Sequence, residues 1–261
     1  MLLAIDVGNT NIVLGVFDGA RLAESWRLAT MRERTSDEVG ILVTHLFARS
    51  GIALDRVSGI ILSSVVPPLT RTMEEMAEQY FGHKLLTVDP GTNTGMPVLY
   101  TPASDVGADR VVNGVAAYET YGRAKGAPVI VVDFGTATTF DAISAAGEYI
   151  GGVICPGIGI SADALFQRAA RLPRVDVRKP PSVIGRTTVT SMQSGLFFGY
   201  VSMVDGIVHR MRAELDGGSR AACVATGGMA DIIAGETTVI ECVDPDLTLQ
   251  GLRLIWERNR S

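Results

Sequence analysis

The chain has 261 residues, enough for one large domain or two domains of ordinary size. Hydrophobic residues make up 47% and charged residues 20% of the sequence, which predicts a packed core and excludes intrinsic disorder. The net charge of -5 excludes a broad basic surface for nucleic acid, and the three cysteines lack metal-ligand spacing. Reduced thiols and the lack of an apolar run of about 18 residues favour a cytoplasmic protein without a membrane span.

The first half begins with three strands joined by tight turns, predicted at 2–7, 12–18 and 21–29. Thr35 to Glu38 forms a capping-box pattern, and the apolar residues from Val39 to Phe47 recur at helical spacing, so a helix is predicted there. The elements predicted after it are a strand at 59–66, a helix at 67–80, a strand at 85–88, a loop at 89–107 and a helix at 108–122.

The second half repeats this order of elements. Three strands are predicted first, at 129–134, 137–143 and 147–154. The elements predicted after them are a helix near 160–170, an irregular stretch at 171–187, a long helix at 188–216, a strand at 221–225, a short helix, a strand at 238–242 and a closing helix at 245–258. The repetition predicts two lobes, residues 1–118 and 119–261.

Two Asp-X-Gly turns carry most of the functional information. They are Asp6-Val7-Gly8-Asn9-Thr10 and Asp133-Phe134-Gly135-Thr136-Ala137-Thr138, and each joins two predicted strands. Glycine lets the backbone approach a ligand closely, and the N–H and hydroxyl groups that follow it suit phosphate oxygens. A single turn of this kind is also common in plain hairpins. Two copies in the same context predict a duplicated fold that holds one nucleotide.

Hairpin-ordered strands followed by helices alternating with single strands, occurring twice, predict a specific α/β architecture. It is the duplicated actin-like (ribonuclease-H-like) two-lobed ATPase fold, in which each lobe is a mixed sheet flanked by helices.

Five segments occur in the order found in type III pantothenate kinases, which the chain resembles over essentially its whole length. They are Asp6-Val7-Gly8-Asn9-Thr10-Asn11, Ser64-Val65-Val66-Pro67, Gly107-Ala108-Asp109-Arg110, Asp133-Phe134-Gly135-Thr136-Ala137-Thr138 and Ala225-Thr226-Gly227-Gly228. The Gly107–Arg110 segment is the discriminating one, because sugar kinases and actin-like ATPases lack it. The resemblance implies ATP-dependent phosphorylation of the primary hydroxyl of pantothenate to 4'-phosphopantothenate, the first step of coenzyme A biosynthesis. It also implies a cytoplasmic homodimer that uses ATP with Mg²⁺ and a monovalent cation, K⁺ or NH₄⁺.

The resemblance implies a first phosphate loop at residues 6–13. The residues assigned to ATP in it are Asp6, Val7, Gly8, Asn9, Thr10, Asn11, Ile12 and Val13. In the second half, Thr136, Gly227 and Gly228 are assigned to ATP. Some relatives carry a lysine in the first loop where this chain has Val13, so bound cations are expected to neutralise more of the phosphate charge.

The resemblance assigns the monovalent cation to Asp133 and makes Asp6 a candidate ligand of Mg²⁺. A carboxylate and carbonyl oxygens at a turn suffice for a monovalent ion. Sequence spacing equally allows Asp133 to contact magnesium or water.

Asp109 and Arg110 are the candidates for acceptor chemistry. A phosphoryl acceptor needs a carboxylate that orients its hydroxyl and takes its proton, and the planar guanidinium of arginine suits the acceptor's own carboxylate. An isolated Asp-Arg dipeptide is also typical of a surface ion pair. The resemblance adds Tyr100, Gly107, Ala108 and Thr188 to the pantothenate site.

Alternatives remain open at this stage. A phosphatase or nucleotide hydrolase of the same fold would use water as the acceptor, and a regulator in transcription would lack turnover. The long helix at 188–216 has a broad apolar face, extended by Phe198 and Met203, that predicts part of a homodimer interface. The alternative is a central core helix, and the dimer is favoured mainly because the family resemblance implies it.

Overall fold

A computed structural model describes residues 1–260 and contains two five-stranded sheets, each within its own compact unit. The strands of the first unit are β1 Leu2–Val7, β2 Asn11–Asp18, β3 Arg21–Ala29, β4 Gly59–Ser64 and β5 Leu85–Thr87. The strands of the second unit are β6 Val129–Phe134, β7 Ala137–Ile143, β8 Tyr149–Pro156, β9 Ala222–Gly227 and β10 Cys242–Val243.

The two sheets have the same topology. Their strand orders are β3-β2-β1-β4-β5 and, read from the equivalent edge, β8-β7-β6-β9-β10, so each runs from a hairpin-linked triplet to two single strands. In the first sheet β1 pairs antiparallel with β2 and parallel with β4, and β6 pairs in the same way with β7 and β9. This repetition confirms the predicted duplicated fold, in which each sheet is mixed.

Seven α-helices accompany the sheets within residues 1–260. They are α1 Ser36–Arg49, α2 Pro67–Met76, α3 Ala108–Ala117, α4 Ile158–Arg168, α5 Thr188–Glu214, α6 Ala230–Ala234 and α7 Leu247–Asn259. The predicted capping box opens α1, where the Thr35 side chain accepts from the Glu38 N–H and the Glu38 side chain accepts from the Thr35 N–H. The predicted helix at 108–122 is α-helical only to Ala117, and a π-helical turn continues it to Gly122.

The last helix packs on the first sheet although it follows the second along the chain. The first unit comprises residues 1–116 together with α7, and the second comprises residues 117–246. The single boundary predicted after residue 118 would instead place α7 in the second unit. Glycines on two strands make room for α7, because a Cβ at Gly59 would lie 2.1 Å from Trp256 and one at Gly15 would lie 2.7 Å from Leu249. These side chains fill the surface that the strands leave bare.

One expectation from the sequence needs correction. The strand predicted at 238–242 is reduced to the two residues of β10, which pair with Val224 and Ala225 of β9.

Much of the apolar face of α5 packs within its own unit. Phe197, Val204 and Val208 are buried in the second core, and the partly buried Phe198 and Met203 pack against that core. The helix is therefore part of the core of its unit, and its role in a homodimer stays a prediction.

The described thiols are unpaired, with Cys223 buried and Cys155 and Cys242 half-buried. Within residues 1–260, no helix combines the length and the apolar character that crossing a membrane requires.

Candidate active site

The first Asp-X-Gly turn lies where β1 ends. Asp6 pairs in register with Val13 on β2 and with Ser63 on β4, so the three side chains form one row across the same face of the sheet. Ser63 is fully buried, and its hydroxyl has no hydrogen-bond partner among the described residues. The backbones of Ser63 and Asp6 are therefore one strand spacing apart, roughly 4.8 Å, and the buried hydroxyl is on the same face of the sheet as the candidate carboxylate.

The tip of this turn is held by the strand that follows the hairpin. The Gly8 N–H donates to the Asn11 carbonyl over 2.9 Å, which closes the turn. The Thr30 hydroxyl donates to the Gly8 carbonyl over 2.7 Å, and the Thr30 N–H donates to the Thr10 carbonyl over 3.0 Å. Asn9 and Thr10 remain exposed between these contacts. The two side chains are therefore at the surface, on a backbone that these hydrogen bonds fix.

An arginine not selected from the sequence contacts this loop. Arg32 Nη2 donates to Asn9 Oδ1 over 3.3 Å, although the two residues are 23 positions apart. The Arg32 guanidinium therefore places a positive charge beside the side chain of Asn9, a residue predicted to bind ATP.

The Ser64–Pro67 segment joins the first loop to the Gly107–Arg110 segment. The Val65 N–H donates to the Val7 carbonyl over 3.0 Å, and a Cβ at Gly107 would lie 3.6 Å from Val65 Cγ1. The Ser64 hydroxyl accepts from the Val66 N–H at the turn where Pro67 begins α2. The first, second and third family-like segments thus meet in one region of the first unit.

Asp109 lies in the first turn of α3 and is partly buried. Its Oδ1 accepts from the Arg110 N–H over 2.8 Å. Burial raises the pKa of the Asp109 carboxyl above its ordinary value, and the Arg110 N–H and guanidinium act in the opposite direction. Arg110 is itself buried, with 8% of its surface exposed, so a surface ion pair does not describe these two residues. Tyr100, on the loop before this helix, is 37% exposed.

The second Asp-X-Gly turn lies where β6 ends, in the equivalent position of the other sheet. Asp133 pairs in register with Thr139 on β7 and with Thr226 on β9, so hydroxyl residues flank the carboxylate on both sides. Gly227 has φ of +93°, and a Cβ there would lie 2.6 Å from Asp133 Oδ1. Only glycine accommodates this approach without strain. Asp133 and the Thr226–Gly227 end of β9 therefore lie next to each other.

A buried polar cluster lies behind Asp133. The Tyr149 hydroxyl donates to Asp141 Oδ1 over 2.7 Å, and the Thr139 hydroxyl donates to Asp141 Oδ2 over 3.3 Å. Asp141 is fully buried. Because the Thr139 proton points towards Asp141, its oxygen lone pairs are left as acceptors beside Asp133.

Thr188 is the first residue of α5 and lies on an open groove of the second unit, with a volume of about 850 Å³. The Thr187 side chain caps the helix by accepting from the Thr190 N–H over 3.2 Å. The groove is also lined by Leu165, Arg186, Met192 and Tyr200. Thr188 is exposed there and belongs to a different unit from Tyr100 and the Gly107–Arg110 segment.

Sequence reasoning missed three polar residues near the two Asp-X-Gly turns. They are Arg32, Ser63 and Asp141. Ser63 immediately precedes the Ser64–Pro67 segment, and Asp141 lies two residues beyond Thr139, so strand alternation could have identified Asp141 as sharing a face with Asp133. No local pattern links Arg32 or Ser63 to the first loop, because their partners are distant along the chain.

The two sheets and the two loops form the duplicated, two-lobed α/β fold that the order of elements predicts. Solved structures share this fold at low sequence identity. One is the inorganic polyphosphate/ATP-glucomannokinase from Arthrobacter sp. strain KM, with a TM-score of 0.53, 16% identity and 99% of each chain covered. Another is the ethanolamine utilization protein EutJ from Carboxydothermus hydrogenoformans, with a TM-score of 0.56, 14% identity, and 97% of this chain and 89% of that chain covered.

Sequence comparison identifies the family. The sequence model of type III pantothenate kinase matches residues 2–210. A type III pantothenate kinase of Myxococcus xanthus (strain DK1622) is 58% identical over 261 residues, and all of both chains is covered. The type III pantothenate kinase of Geobacter sulfurreducens is 54% identical over 260 residues, again with full coverage of both chains. The chain belongs to the type III pantothenate kinase family.

Proposed function

We propose that the protein transfers the γ-phosphoryl group of ATP to the primary hydroxyl of pantothenate, forming 4'-phosphopantothenate in the first step of coenzyme A biosynthesis. The observation that carries the proposal is Asp109, a partly buried carboxyl with a raised pKa at the start of α3, directly beside the buried Arg110. The proposed place of the reaction is the cytoplasm.

Asp109 is the proposed general base. Its carboxylate orients the acceptor hydroxyl and takes the proton as the bond to phosphorus forms. Because burial raises the pKa of Asp109, the carboxylate is a stronger base than a solvent-exposed aspartate. Arg110 binds the carboxylate of pantothenate through its planar guanidinium, a contact that exists before the transition state. Tyr100, Gly107, Ala108 and Thr188 are proposed to complete the acceptor site.

The ATP phosphates are proposed to contact the first loop. The residues assigned to ATP are Asp6, Val7, Gly8, Asn9, Thr10, Asn11, Ile12 and Val13, together with Thr136, Gly227 and Gly228. The exposed positions of Asn9 and Thr10, and the backbone fixed by Thr30, support this assignment of the loop.

The residues present fit the Mg²⁺ that accompanies ATP. Within residues 1–260, no group of three or more His, Cys, Asp or Glu side chains could hold a metal ion. Mg²⁺ is commonly held by one or two carboxylates, waters and the substrate phosphates, so Asp6 beside the buried Ser63 hydroxyl is sufficient. Bound Mg²⁺ supplies neutralisation of the phosphate charge.

Asp133 is proposed to hold the monovalent cation. A dehydrated K⁺ or NH₄⁺ needs several oxygen neighbours, and the register that flanks Asp133 with Thr139 and Thr226 supports such a site. Replacing potassium with sodium at constant ionic strength should lower turnover. Equal turnover with both ions would contradict a monovalent site.

The protein is proposed to be a homodimer, associating through the second unit. Large apolar side chains are exposed there, namely Ile154, Ile160, Leu165, Phe166, Val183 and Ile184. Exposed apolar side chains in such number favour a partner surface. Light scattering at micromolar concentration tests the assembly. A fully active monomer would exclude the dimer.

A coupled ADP-release assay with and without pantothenate tests the central proposal. ADP release that depends on pantothenate identifies the kinase. Equal release without pantothenate identifies a nucleotide hydrolase, and no release at all in the presence of both substrates contradicts an enzyme.

A further inference from the structure

The segment between β3 and α1 carries a positive charge to the first phosphate loop. Arg32 lies on this segment, and its Nη2 donates to Asn9 Oδ1 over 3.3 Å. Both residues are exposed, so the guanidinium lies at the surface of the loop where a ligand has access.

The backbone explains why Arg32 lies there. Thr30 ends the strand by hydrogen bonding to the carbonyls of Gly8 and Thr10, one residue on either side of Asn9. The Arg34 N–H then donates to the Met31 carbonyl over 3.3 Å, which closes a turn around Arg32. Arg32 therefore lies two residues beyond Thr30, on a turn whose start is fixed by the hydrogen bonds of Thr30.

The charge of the loop makes this cation significant. Residues 6–13 contain one charged side chain, Asp6, which is negative. Val13, the last residue of the loop, is apolar. A bound ATP would therefore meet a loop that has no positive side chain of its own. Arginine offers five N–H donors in a planar fork, so donation to Asn9 leaves other donors for phosphate oxygens.

We propose that Arg32 contacts the phosphates of ATP beside Asn9 and supplies the positive charge that the loop itself lacks. This role rests on the proposed binding of ATP by residues 6–13 and extends it to a residue outside the loop. Asn9 then has two roles, because it is itself proposed to bind ATP and its Oδ1 also holds the Arg32 guanidinium in position.

The test measures the affinity of the protein for a non-hydrolysable ATP analogue with Mg²⁺, without pantothenate. We expect Arg32→Ala to raise the Kd about five- to tenfold, which is the loss of a charge-assisted hydrogen bond at an exposed position. Arg32→Lys should lose less. The difference from the wild-type protein should shrink as salt is added, because exposed charges are screened.

Arg21→Ala is the matched control. It removes the same charge from the first residue of β3, at the end of the strand away from Arg32, where Arg21 pairs with Asp18 in the β2–β3 register. An unchanged Kd for Arg32→Ala, or an equal rise for Arg21→Ala, would overturn the proposal. Thermal unfolding of each variant establishes that it is folded.

A compensating substitution gives a second test. Val13 lies on the row that contains Asp6, so Val13→Lys places a cation beside the same loop. In the Arg32→Ala background it should recover most of the lost affinity for the ATP analogue. No recovery in a folded double variant would contradict a role based on charge.

The binding test and the kinase assay separate two failures. Weaker ATP binding by Arg32→Ala, together with a wild-type protein that does not phosphorylate pantothenate, would support Arg32 while rejecting the acceptor. Normal phosphorylation with an unaffected Kd for Arg32→Ala would reject Arg32 alone.

Discussion

The two units share a topology but surround their aspartates differently. Asp6 lies between Val13 and Ser63, whereas Asp133 occupies the equivalent place between Thr139 and Thr226. Behind Thr139 the second unit adds the buried Asp141, held by Tyr149. The duplicated topology retains a carboxylate at the end of its central strand while its neighbours differ. The oxygen-rich surroundings of Asp133 favour a cation there, whereas Asp6 has the apolar Val13 on one side.

The strand next to each aspartate also ends differently. Ser64 on β4 pairs with Val7, and Gly227 on β9 occupies the equivalent place opposite Phe134. The Ser64 hydroxyl accepts from the Val66 N–H at the turn into α2, so it stabilises the scaffold. Gly227 leaves bare backbone against Asp133. We propose that the first unit provides the acceptor chemistry at Asp109 together with the first phosphate loop, and that the second unit holds the monovalent cation and the remaining nucleotide contacts.

The largest expected effect lies in the first unit. Asp109→Asn keeps the size of the side chain but cannot take the proton, so kcat should fall roughly 10²–10⁴-fold. The Kd of the ATP analogue should stay nearly constant. Steady-state kinetics and binding measurements check both values. A folded Asp109→Asn enzyme with normal kcat would exclude the base assignment and direct attention to Asp6.

Arg110→Ala provides the contrast within the same segment. It should raise the KM for pantothenate more than it lowers kcat, because the guanidinium contact is present in the ground state. The same pattern for Arg110→Ala and Asp109→Asn would argue that the two substitutions merely distort α3.

The second unit should control the response to monovalent ions. Asp133→Asn is expected to abolish most of the activation by potassium, about tenfold if one charged contact is lost, while the protein stays folded. The measurement is a potassium titration at constant ionic strength. Asp6→Asn is the counterpart in the first unit and should keep the relative potassium response. If Asp133→Asn retains the wild-type response, the carboxylate is not the ligand.

A substitution of Ser63 tests whether the residues that flank Asp6 contribute to activity, as those that flank Asp133 are proposed to do. When nucleotide is bound, we expect rotation of Ser63 to direct its hydroxyl to Asp6, and Ser63→Ala should lower kcat/KM for ATP roughly three- to tenfold. Its Tm should not fall, because the substitution removes a buried hydroxyl without a partner among the described residues.

Two variants control the Ser63 experiment. Ser63→Thr should retain activity, since Thr226 shows that the equivalent row accommodates threonine. Ser58→Ala removes a hydroxyl that donates to the Met1 carbonyl at an exposed position and should leave kcat/KM unchanged. Wild-type kcat/KM in Ser63→Ala would remove Ser63 from the site.

The smallest expected effect is on stability. Because burial raises the pKa of Asp109, the folded protein binds that proton more tightly than the unfolded chain does. The associated stability is present below the unfolded pKa and is lost as the pH rises through the folded pKa. Asp109→Asn should therefore raise the free energy of unfolding near neutral pH, and the gain should disappear in acid. Denaturant unfolding at several pH values checks the sign. A uniform destabilisation would contradict it.

Local signals in the sequence were sufficient for much of the fold. Both Asp-X-Gly hairpins were predictable because their hydrogen bonds join residues that are neighbours along the chain, such as Gly8 and Asn11. The capping box of α1 depends only on Thr35 and Glu38. The strand at 238–242 failed because β propensity is set by the partner strand, and β9 pairs with only two residues there.

The sequence by itself determined the two loops, the duplicated order of elements and the segments that carry the family resemblance. Tertiary structure decided what surrounds them. It placed Ser63 beside Asp6, Arg32 beside Asn9, and α7 on the first sheet rather than the second. The physical reason is range: hairpins and caps form between near neighbours, whereas these contacts depend on strand register, on an anchored turn and on glycines that admit a distant helix.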